Sequence, residues 1–218
     1  ALERIWASNP YCQVELVALE LNPAVPRAAI AYDLLRSWSP PIPELLAELA
    51  TSGIVETKNF QAKLLLGDAR TTIKQVLISG FQADGIFLDP FSPPRCPQLW
   101  TVEFIQQLAS CCAEIGRIAT YSCAAAVRTA ILAAGWQISE TLQVGNRQPG
   151  TVASFSAADL EPLSVRSQEH LQTRAAIPYR DPQLSDLAPV ILHRRRLEQA
   201  TSSLEPTSHW KKRWLKNK

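Results

Sequence analysis

Residues 83–94 read ADGIFLDPFSPP, an apolar run that ends on Asp89 and is followed by three prolines within five residues. The run Ala83–Leu88 is predicted to be a buried strand. Open α/β sheets bind their ligands at the carboxyl ends of their strands, so a carboxylate in this position is a candidate for chemistry. Because proline fixes the backbone φ angle, we expect Asp89 to stand at the start of a rigid loop.

Predicted strands and helices alternate on both sides of this stretch. This alternation predicts an α/β fold with a mostly parallel, doubly wound sheet. The last two strands flank the short turn Gly145–Gly150, which suits an antiparallel C-terminal hairpin. That layout is similar to the Rossmann-like fold of S-adenosylmethionine-dependent methyltransferases. The predicted strands are Val14–Leu21, Ala62–Leu66, Ala83–Leu88, Arg117–Ser122, Trp136–Val144 and Thr151–Ser156. The predicted helices are Ala28–Trp38, Pro43–Ser52, Thr71–Ile78, Thr101–Ile115 and Ala124–Ala134.

Composition excludes several classes of protein. Among the 218 residues, 46% are hydrophobic and 19% charged, which is ordinary for a globular protein. No apolar run approaches the roughly 18–20 residues of a membrane span, and the N-terminal ALERIWASNP does not resemble a signal peptide. The five cysteines have no zinc-ligand spacing. We therefore expect a cytoplasmic protein with reduced cysteines, no metal and no membrane contact.

The charge is unevenly distributed along the chain. From Arg194 to Lys218 there are eight Lys or Arg and two Glu, a net charge of +6, whereas the remaining residues carry −4. We expect a catalytic domain over residues 1–156, a polar, proline-rich extension over 157–193 and a basic, flexible tail over 194–218. Basic and aromatic residues alternate in the tail, which favours phosphate contacts and base stacking. A disordered, solubilising tail is the alternative. The candidate RNA-binding residues are Arg194, Arg195, Arg196, Lys211, Lys212 and Arg213.

Acidic residues end three successive predicted strands: Glu20, Asp68 and Asp89. In a doubly wound sheet all three strand ends open on one crevice. An ionised carboxylate is a bidentate acceptor, so Glu20 suits the two ribose hydroxyls of a nucleoside cofactor. Asp68, with the adjoining Ala69, suits an adenine amino group, and Asp89 would lie near the reacting end of the cofactor. The alternative for each acid is a solvated loop or a helix cap.

The glycine-rich turn expected after the first strand of such a sheet is absent from the sequence. The chain has no methionine and opens on the helix-like stretch Leu2–Trp6. Loss of upstream residues would explain these features, and processing of a longer protein is the alternative. The expectation is a chain without its first strand and glycine-rich turn, which would bind its cofactor poorly or not at all.

The loop after Asp89 has a chemical interpretation of its own. A rigid carboxylate and the backbone carbonyls beside it, including that of Pro90, would hold an amine nitrogen, and Phe91 would stack on a base. Thr120 and Tyr121 end the next predicted strand and are candidates for the wall of the acceptor pocket. The segment resembles the Asp-Pro-Pro-aromatic loop of methyltransferases that act on exocyclic amines of nucleobases, with Phe91 in place of the third residue. The alternative is a rigid turn that leads into the next helix.

A closer resemblance covers residues 1–156 and is most specific between 86 and 136. The segments FLDPFSPPRCPQLWTVEFIQQLA and GRIATYSCAAAVRTAILAAGWQI resemble the methyltransferase domain of the bifunctional tRNA 5-methylaminomethyl-2-thiouridine biosynthesis proteins, including stand-alone relatives without the FAD-dependent oxidase half. Departures are Pro90 for the family's Gly, Cys96 for its Asn, and the absent glycine-rich motif. The matching positions are Leu88, Asp89, Phe91, Pro93, Pro97, Trp100, Thr101, Ala119, Thr120, Tyr121, Val127, Arg128, Ala134 and Gly135, together with Glu20, Pro23, Gly67 and Asp68.

The resemblance implies methyl transfer from S-adenosyl-L-methionine to the 5-aminomethyl group of the tRNA wobble uridine. It implies tRNA as the partner and Asp89 as the catalytic residue. Two alternatives remain open from the sequence. One is a methyltransferase for another nucleobase or a small-molecule amine, and the other is a non-catalytic RNA-binding relative.

Overall fold

The computed structural model describes residues 1–143 and 148–215, and the chain divides into two compact units, residues 1–76 and 77–218. The first unit contains a three-stranded sheet in the order β1-β3-β2. β1 and β3 are parallel, whereas β2 and β3 are antiparallel. Its strands are β1 (Val14–Glu20), β2 (Ile54–Glu56) and β3 (Phe60–Leu66). Its helices are α1 (Leu2–Ser8), α2 (Ala24–Ala31), α3 (Ile42–Ser52) and the start of α4 (Ala69–Ser79).

Helix α3 provides much of the core of the first unit. A proline stands in its first turn, and Gly53 ends it with a φ of 79°, a left-handed conformation that glycine adopts without strain. Leu45 and Leu49, one helical turn apart, pack against a cluster that includes Phe60 on β3. The indole of Trp6 meets the Phe60 ring edge to face, with centroids 5.9 Å apart.

The second unit contains a four-stranded sheet in the order β4-β5-β7-β6. β4 and β5 are parallel, and the other two pairs are antiparallel, so the predicted α/β class and C-terminal hairpin are confirmed. Within the described residues, two strand pairs are parallel and three antiparallel. The first half of the predicted hairpin turn, residues 145–147, lies outside the described residues. The strands are β4 (Ala83–Phe87), β5 (Cys112–Thr120), β6 (Gln137–Glu140) and β7 (Thr151–Ser154). The helices are α5 (Val102–Ser110), α6 (Ala125–Ala133), α7 (Val165–His170), α8 (Ala188–Thr201) and α9 (Thr207–Leu215).

Helix α5 is shorter than the sequence predicts. The pattern favours a helix to Ile115, but the helix ends at Ser110 and β5 begins at Cys112. Cys112 is paired with Ala83 in the β4–β5 ladder. A Cβ on Gly116 would lie 2.6 Å from the Ala83 carbonyl oxygen, so this close approach of two backbones requires glycine. The pairing involves residues distant in sequence, and it overrides the local helical pattern.

Most of the described residues of the predicted flexible tail are helical: 194–201 lie in α8 and 207–215 form α9. Ile191 is fully buried, and Trp210 is 7% exposed, with its ring stacked on His170 at 4.1 Å. These two side chains give the basic segment an apolar anchor, which a disordered tail lacks. The boundaries of the catalytic domain, the extension and the tail remain predictions.

Residues before α8 pack against the start of α5. Val102 donates its N–H to the Tyr179 carbonyl at 3.1 Å. The Glu103 carboxylate accepts from the Arg180 side chain and from the Asp181 N–H, each at 2.7 Å. This proline-containing segment is therefore ordered by backbone and carboxylate hydrogen bonds. Across the part of the chain that the structure describes, no helix combines the length and apolar character needed to span a bilayer.

Candidate active site

A cavity of about 720 Å³ lies at the carboxyl ends of β4 and β5, within the usual size range of small-molecule sites. The Leu88 N–H donates to the Ala119 carbonyl at 2.9 Å, which continues the parallel ladder and places Asp89 beside Thr120 and Tyr121. The lining residues are Phe87, Leu88, Asp89, Ala119, Thr120, Tyr121, Cys123, Thr141, Leu142, Gln148 and Gly150.

The loop after Asp89 is held by two aromatic hydrogen-bond donors. The Tyr121 hydroxyl donates to the Pro90 carbonyl at 2.9 Å, and the Trp100 indole N–H donates to the Phe91 carbonyl at 2.8 Å. The Trp100 and Tyr121 rings are themselves in edge-to-face contact, with centroids 6.0 Å apart. Trp100 is completely buried. The hydrogen bonds from Tyr121 and Trp100 therefore hold two consecutive backbone carbonyls of the loop in place. This restraint adds to the one that the prolines impose.

Asp89 is exposed at the cavity and accepts no hydrogen bond from the residues that the structure describes. Burial, followed by the neighbouring Asp89 and Cys96 groups, raises the pKa of Tyr121, so its hydroxyl stays protonated and donates to the loop. The Asp89 carboxylate consequently has acceptor capacity for a ligand, while the loop beside it is fixed.

The structure brings together part of the set predicted from sequence. Asp89, Thr120 and Tyr121 line one cavity in the second unit. Pro90 and Phe91 belong to the adjoining loop but do not line the cavity, and Phe91 is 74% exposed. The sequence interpretation missed Cys123, Thr141, Leu142, Gln148 and Gly150. Among these residues, only Gly150 had a recognisable sequence pattern, because it ends the predicted turn before β7, which has a glycine at each end.

Two of the three acids predicted to lie along the cofactor, Glu20 and Asp68, belong to the first unit, whereas Asp89 belongs to the second. Glu20 ends β1 directly opposite Leu66, the last residue of β3. Its carbonyl accepts from the Gly67 N–H at 2.9 Å, and its carboxylate accepts from the Asn22 N–H at 2.8 Å. Glu20 and the Gly67-Asp68 turn therefore occupy the carboxyl ends of neighbouring parallel strands, where the sequence predicts them.

Asp68 has a partner that the sequence interpretation did not assign. Arg70 contacts both carboxylate oxygens, with its Nη2 2.7 Å from Oδ2, and its backbone N–H donates to Oδ1 at 2.9 Å. The hydrogen bonds from the Arg70 side chain are the main reason that the pKa of Asp68 is lowered. A ligand amino group at Asp68 would have to share an oxygen that Arg70 already contacts.

We expect the Asp68–Arg70 pair to give the protein an acid-sensitive share of its stability. A carboxyl whose pKa is lowered on folding stabilises the fold when ionised, and this contribution is lost as the pH falls below the unfolded value of about 3.9. The wild type should have a higher urea midpoint than Asp68→Asn at neutral pH, and the difference should shrink towards pH ~3. Asp33→Asn, which removes an exposed pair with Arg36, is the control and should change little. A difference that does not depend on pH would contradict the role of the Asp68 charge.

The basic residues predicted to bind RNA fall into two groups. Arg194, Arg195 and Arg213 are used within the protein. Arg194 pairs with Asp186 at 2.7 Å, Arg195 donates to the carbonyls of Ile177 and Ala175, and Arg213 pairs with Glu169 and Glu205. The second group, Arg196, Lys211 and Lys212, is exposed to solvent. Trp210 lies between the His170 ring and the Arg166 guanidinium, so its faces are already covered.

The fold and the cavity define an α/β protein with a candidate site at the carboxyl ends of β4 and β5, and the comparison with known families identifies its class. The family model for S-adenosyl-L-methionine-dependent methyltransferases matches residues 29–156, more than half of the chain. The chain therefore belongs to this family, whose cofactor is S-adenosyl-L-methionine.

Individual relatives narrow the resemblance further. The tRNA 5-methylaminomethyl-2-thiouridine biosynthesis bifunctional protein MnmC of Ralstonia nicotianae is 33% identical over 128 residues, covering 59% of this chain and 18% of the relative. The protein of the same name from Methylibium petroleiphilum is 30% identical over 164 residues, covering 69% and 24%. The chain thus spans about a fifth of the length of these relatives.

A solved structure agrees with these matches. The crystal structure of MNMC2 from Aquifex aeolicus superposes with a TM-score of 0.76 at 29% identity, and the match covers 93% of this chain and 63% of that chain. The resemblance inferred from residues 86–136 is confirmed at the level of the family.

Proposed function

We propose that this chain catalyses N-methylation, with S-adenosyl-L-methionine as methyl donor and the 5-aminomethyl group of the tRNA wobble uridine as acceptor. The observation that carries the proposal is Asp89, an exposed carboxylate at the head of a fixed loop and at the edge of a cavity. The names of the relatives, which refer to tRNA 5-methylaminomethyl-2-thiouridine biosynthesis, support the choice of acceptor.

The role of Asp89 follows from the charge that develops on the acceptor. S-adenosyl-L-methionine supplies an electrophilic methyl group. As the neutral acceptor nitrogen would bond to the methyl carbon, the sulfur–carbon bond would break, with the neutral thioether S-adenosylhomocysteine as leaving group and a methylammonium as product. A carboxylate within hydrogen-bond distance stabilises the positive charge that grows on the nitrogen. The same carboxylate orients the nitrogen lone pair, and the reaction gains most of its acceleration from such positioning. Asp89 is therefore an orienting and electrostatic catalytic residue rather than a simple base.

The residues of the first unit fit the cofactor in the chemistry of their donors and acceptors. Glu20 accepts one backbone hydrogen bond on one of its oxygens, and an ionised carboxylate has further lone pairs for ribose hydroxyls. Asp68 is oriented by Arg70 and would share an oxygen with the adenine amino group. Ala69 begins α4, and the first N–H groups of a helix have no partner inside it, so this N–H is a candidate donor to the adenine ring.

The acceptor base is proposed to lie over Phe91, with Pro90, Thr120 and Tyr121 around it. The Arg95 guanidinium lies 5.9 Å from the centre of the Phe91 ring. A cation beside an exposed aromatic ring suits a nucleotide, which combines a flat base with a phosphate. The alternative of a small-molecule amine leaves this cation without a function.

The remaining contacts with tRNA are proposed to come from the exposed cations Arg196, Lys211 and Lys212. The three arginines that pair within the protein, Arg194, Arg195 and Arg213, would act indirectly by holding α8 and α9 in place. Because its substrate is tRNA, we place the protein in the cytoplasm. Methyl transfer from a sulfonium donor needs no metal. Among residues 1–143 and 148–215, no group of three or more His, Cys, Asp or Glu is arranged to hold one.

The proposal is tested with the full chain, radiolabelled S-adenosyl-L-methionine and tRNA whose wobble uridine carries an unmethylated 5-aminomethyl group. Incorporation of label at that nucleotide is the expected result. Transfer to free nucleosides or small amines but not to tRNA would overturn the choice of acceptor. Binding of tRNA and of cofactor with no transfer to any of these acceptors would overturn catalysis and favour an RNA-binding role.

We expect Lys211→Ala combined with Lys212→Ala to weaken tRNA binding about tenfold at low salt, because each phosphate contact releases counterions. The slope of log affinity against log salt should fall by about 1.4–1.8 for two lost contacts. Filter binding over a salt series measures both quantities. The pair Lys58→Ala and Lys63→Ala removes two exposed lysines of the first unit and serves as the control. An unchanged slope in the first variant would exclude these lysines from the interface.

A further inference from the structure

Arg128 is a buried cation for which the proposed chemistry has no direct use. It lies on α6 with 2% of its surface exposed. Its Nε donates to the Thr151 hydroxyl at 3.0 Å, and its Nη2 donates to the Gly150 carbonyl at 3.3 Å. Both terminal nitrogens lie 3.4 Å from one oxygen of Glu140. A single guanidinium thus contacts residues at the end of β6 and at the start of β7.

These partners lie in or next to the wall of the cavity that Asp89 lines. Gly150 lines the cavity, and Glu140 directly precedes the lining residues Thr141 and Leu142. The Thr151 hydroxyl, which accepts from Arg128, also donates to the Ser122 carbonyl at 2.7 Å. Ser122 stands between the lining residues Tyr121 and Cys123, so wall segments from β5, β6 and β7 all connect to Arg128.

Stability alone is a weak reason for a buried guanidinium at this place. Buried ion pairs lose hydration, and their replacement by packed apolar side chains is often neutral or stabilising. A planar guanidinium, however, holds several acceptors in one fixed arrangement, which neither lysine nor an apolar residue achieves. Arg117 provides the contrast within the same unit, because its pair with Asp159 is exposed and touches no cavity residue.

Glu140 extends the arrangement to helix α7. Its carboxylate accepts from the Ser167 hydroxyl at 2.6 Å and from the Ser164 hydroxyl at 3.3 Å, and Ser164 is the N-cap of α7. Burial raises the pKa of Glu140, but the hydrogen bonds from Ser167 and Ser164 and the Arg128 charge more than offset it, so the pKa is lowered. Glu140 is therefore ionised at neutral pH, and it connects α7 to the cavity wall through Arg128.

We infer that Arg128 is a positioning residue: it fixes the part of the cavity wall formed by Thr141, Leu142 and Gly150 and, through Glu140, links that wall to helix α7. The expected effect on acceptor KM rests on the proposed function. The placement of the wall does not, because it is a property of the protein without its substrate. Arg128 touches no reacting atom in this role and acts through Gly150, Thr151 and Glu140.

The test compares Arg128→Met, Arg128→Lys and the control Arg117→Met in the full chain. Arg128→Met should lower kcat/KM for the tRNA acceptor by about 10- to 100-fold, mainly through KM, because a displaced wall weakens acceptor binding. The KM for S-adenosyl-L-methionine should stay unchanged. Arg128→Lys should recover part of the loss, and Arg117→Met should behave as wild type. Equal KM values for the acceptor in all folded variants would overturn the inference.

A second pair of variants covers the case in which the Arg128 variants fail to fold. Thr151→Val removes the hydroxyl that joins Arg128 to Ser122, whereas Thr151→Ser keeps it. Acceptor KM should rise in Thr151→Val and return towards wild type in Thr151→Ser. Equal effects of the two substitutions would contradict a role for this hydrogen bond.

Hydrogen exchange separates the inference from the proposed function. In Thr151→Val, and in Arg128→Met where it folds, amide exchange should quicken in residues 148–154 and at the start of α7, with α5 unchanged. This result would support the positioning role even if no acceptor were methylated, in which case only the proposed function would fail. Exchange that is unchanged, or that rises uniformly across the second unit, would overturn the positioning role.

Discussion

Asp89→Asn should lower kcat for methyl transfer by about 10²–10³-fold, the range observed when a single group that stabilises developing charge is removed. Asparagine has the shape of aspartate without its charge. It can still accept a hydrogen bond from the acceptor amine, but it cannot stabilise the positive charge that grows on the nitrogen. The loss should therefore fall on kcat more than on acceptor KM.

The structure offers a close control for this variant. Asp84 is an exposed aspartate on β4, the strand that precedes Asp89, and it does not line the cavity. Asp84→Asn should keep wild-type kinetics. Asp89→Glu restores the charge but moves it by one methylene group, so we expect an intermediate rate. Full activity in Asp89→Asn would remove Asp89 from the mechanism and leave the cavity without its central group.

Gly150→Ala should destabilise the protein by about 1–3 kcal/mol, the usual effect of forcing an extra carbon into a packed position. A Cβ at Gly150 would lie 2.3 Å from the Thr120 carbonyl oxygen and 3.2 Å from the Tyr121 Cα. Both neighbours are backbone atoms at the end of β5. Strands β5 and β7, which pair at this point, would therefore have to move apart. For a chain of this size the expected fall in Tm is about 2–12 °C.

The same change should impair methyl transfer, because Gly150, Thr120 and Tyr121 share the cavity wall. Thermal unfolding and acceptor kinetics measure the two effects on one preparation. Gly85→Ala is the control, since Gly85 lies on β4 with no atom within 4 Å of the added carbon. A Gly150→Ala protein as stable and active as the control would show that the close approach of β5 and β7 can relax without consequence.

Features encoded locally were predictable from the sequence. Apolar runs that end on an acid located Glu20, Asp68 and Asp89, and the proline content of the following segment indicated its rigidity. The family resemblance rested on the same local segments. In each case the relevant pattern extends over only a few neighbouring residues, so a single sequence contains it.

Features that depend on distant residues were not predictable in the same way. Helix α5 ends early because Cys112 pairs with Ala83, and the residues near Ile115 do not indicate this pairing. The contact between Arg70 and Asp68 joins near neighbours in sequence, but it forms at the start of helix α4, and the spacing alone does not specify it. The wall residues Thr141 and Leu142 join the cavity only through the β6–β7 pairing.

The apolar anchors of α8 and α9 are a feature that the charge pattern of the tail did not predict. Net charge and basic runs favoured a flexible segment, and the pattern was dominated by arginine and lysine. Arg195, however, donates to two carbonyls and lies over the Tyr179 ring, so it serves packing as much as charge. Counting charges cannot distinguish an arginine that faces solvent from one that holds the backbone.

The two aromatic donors that hold the Pro90 and Phe91 carbonyls have a consequence for the proposed tRNA acceptor. If the loop keeps this conformation, the RNA would have to supply the change of shape, and its nucleotide would leave its stack and turn outwards to present its amine to Asp89. Unstacking costs least where a base is already unpaired, as in the anticodon loop that contains the wobble position. A stiff enzyme loop would in this way select for RNA that is pliable at the modified nucleotide.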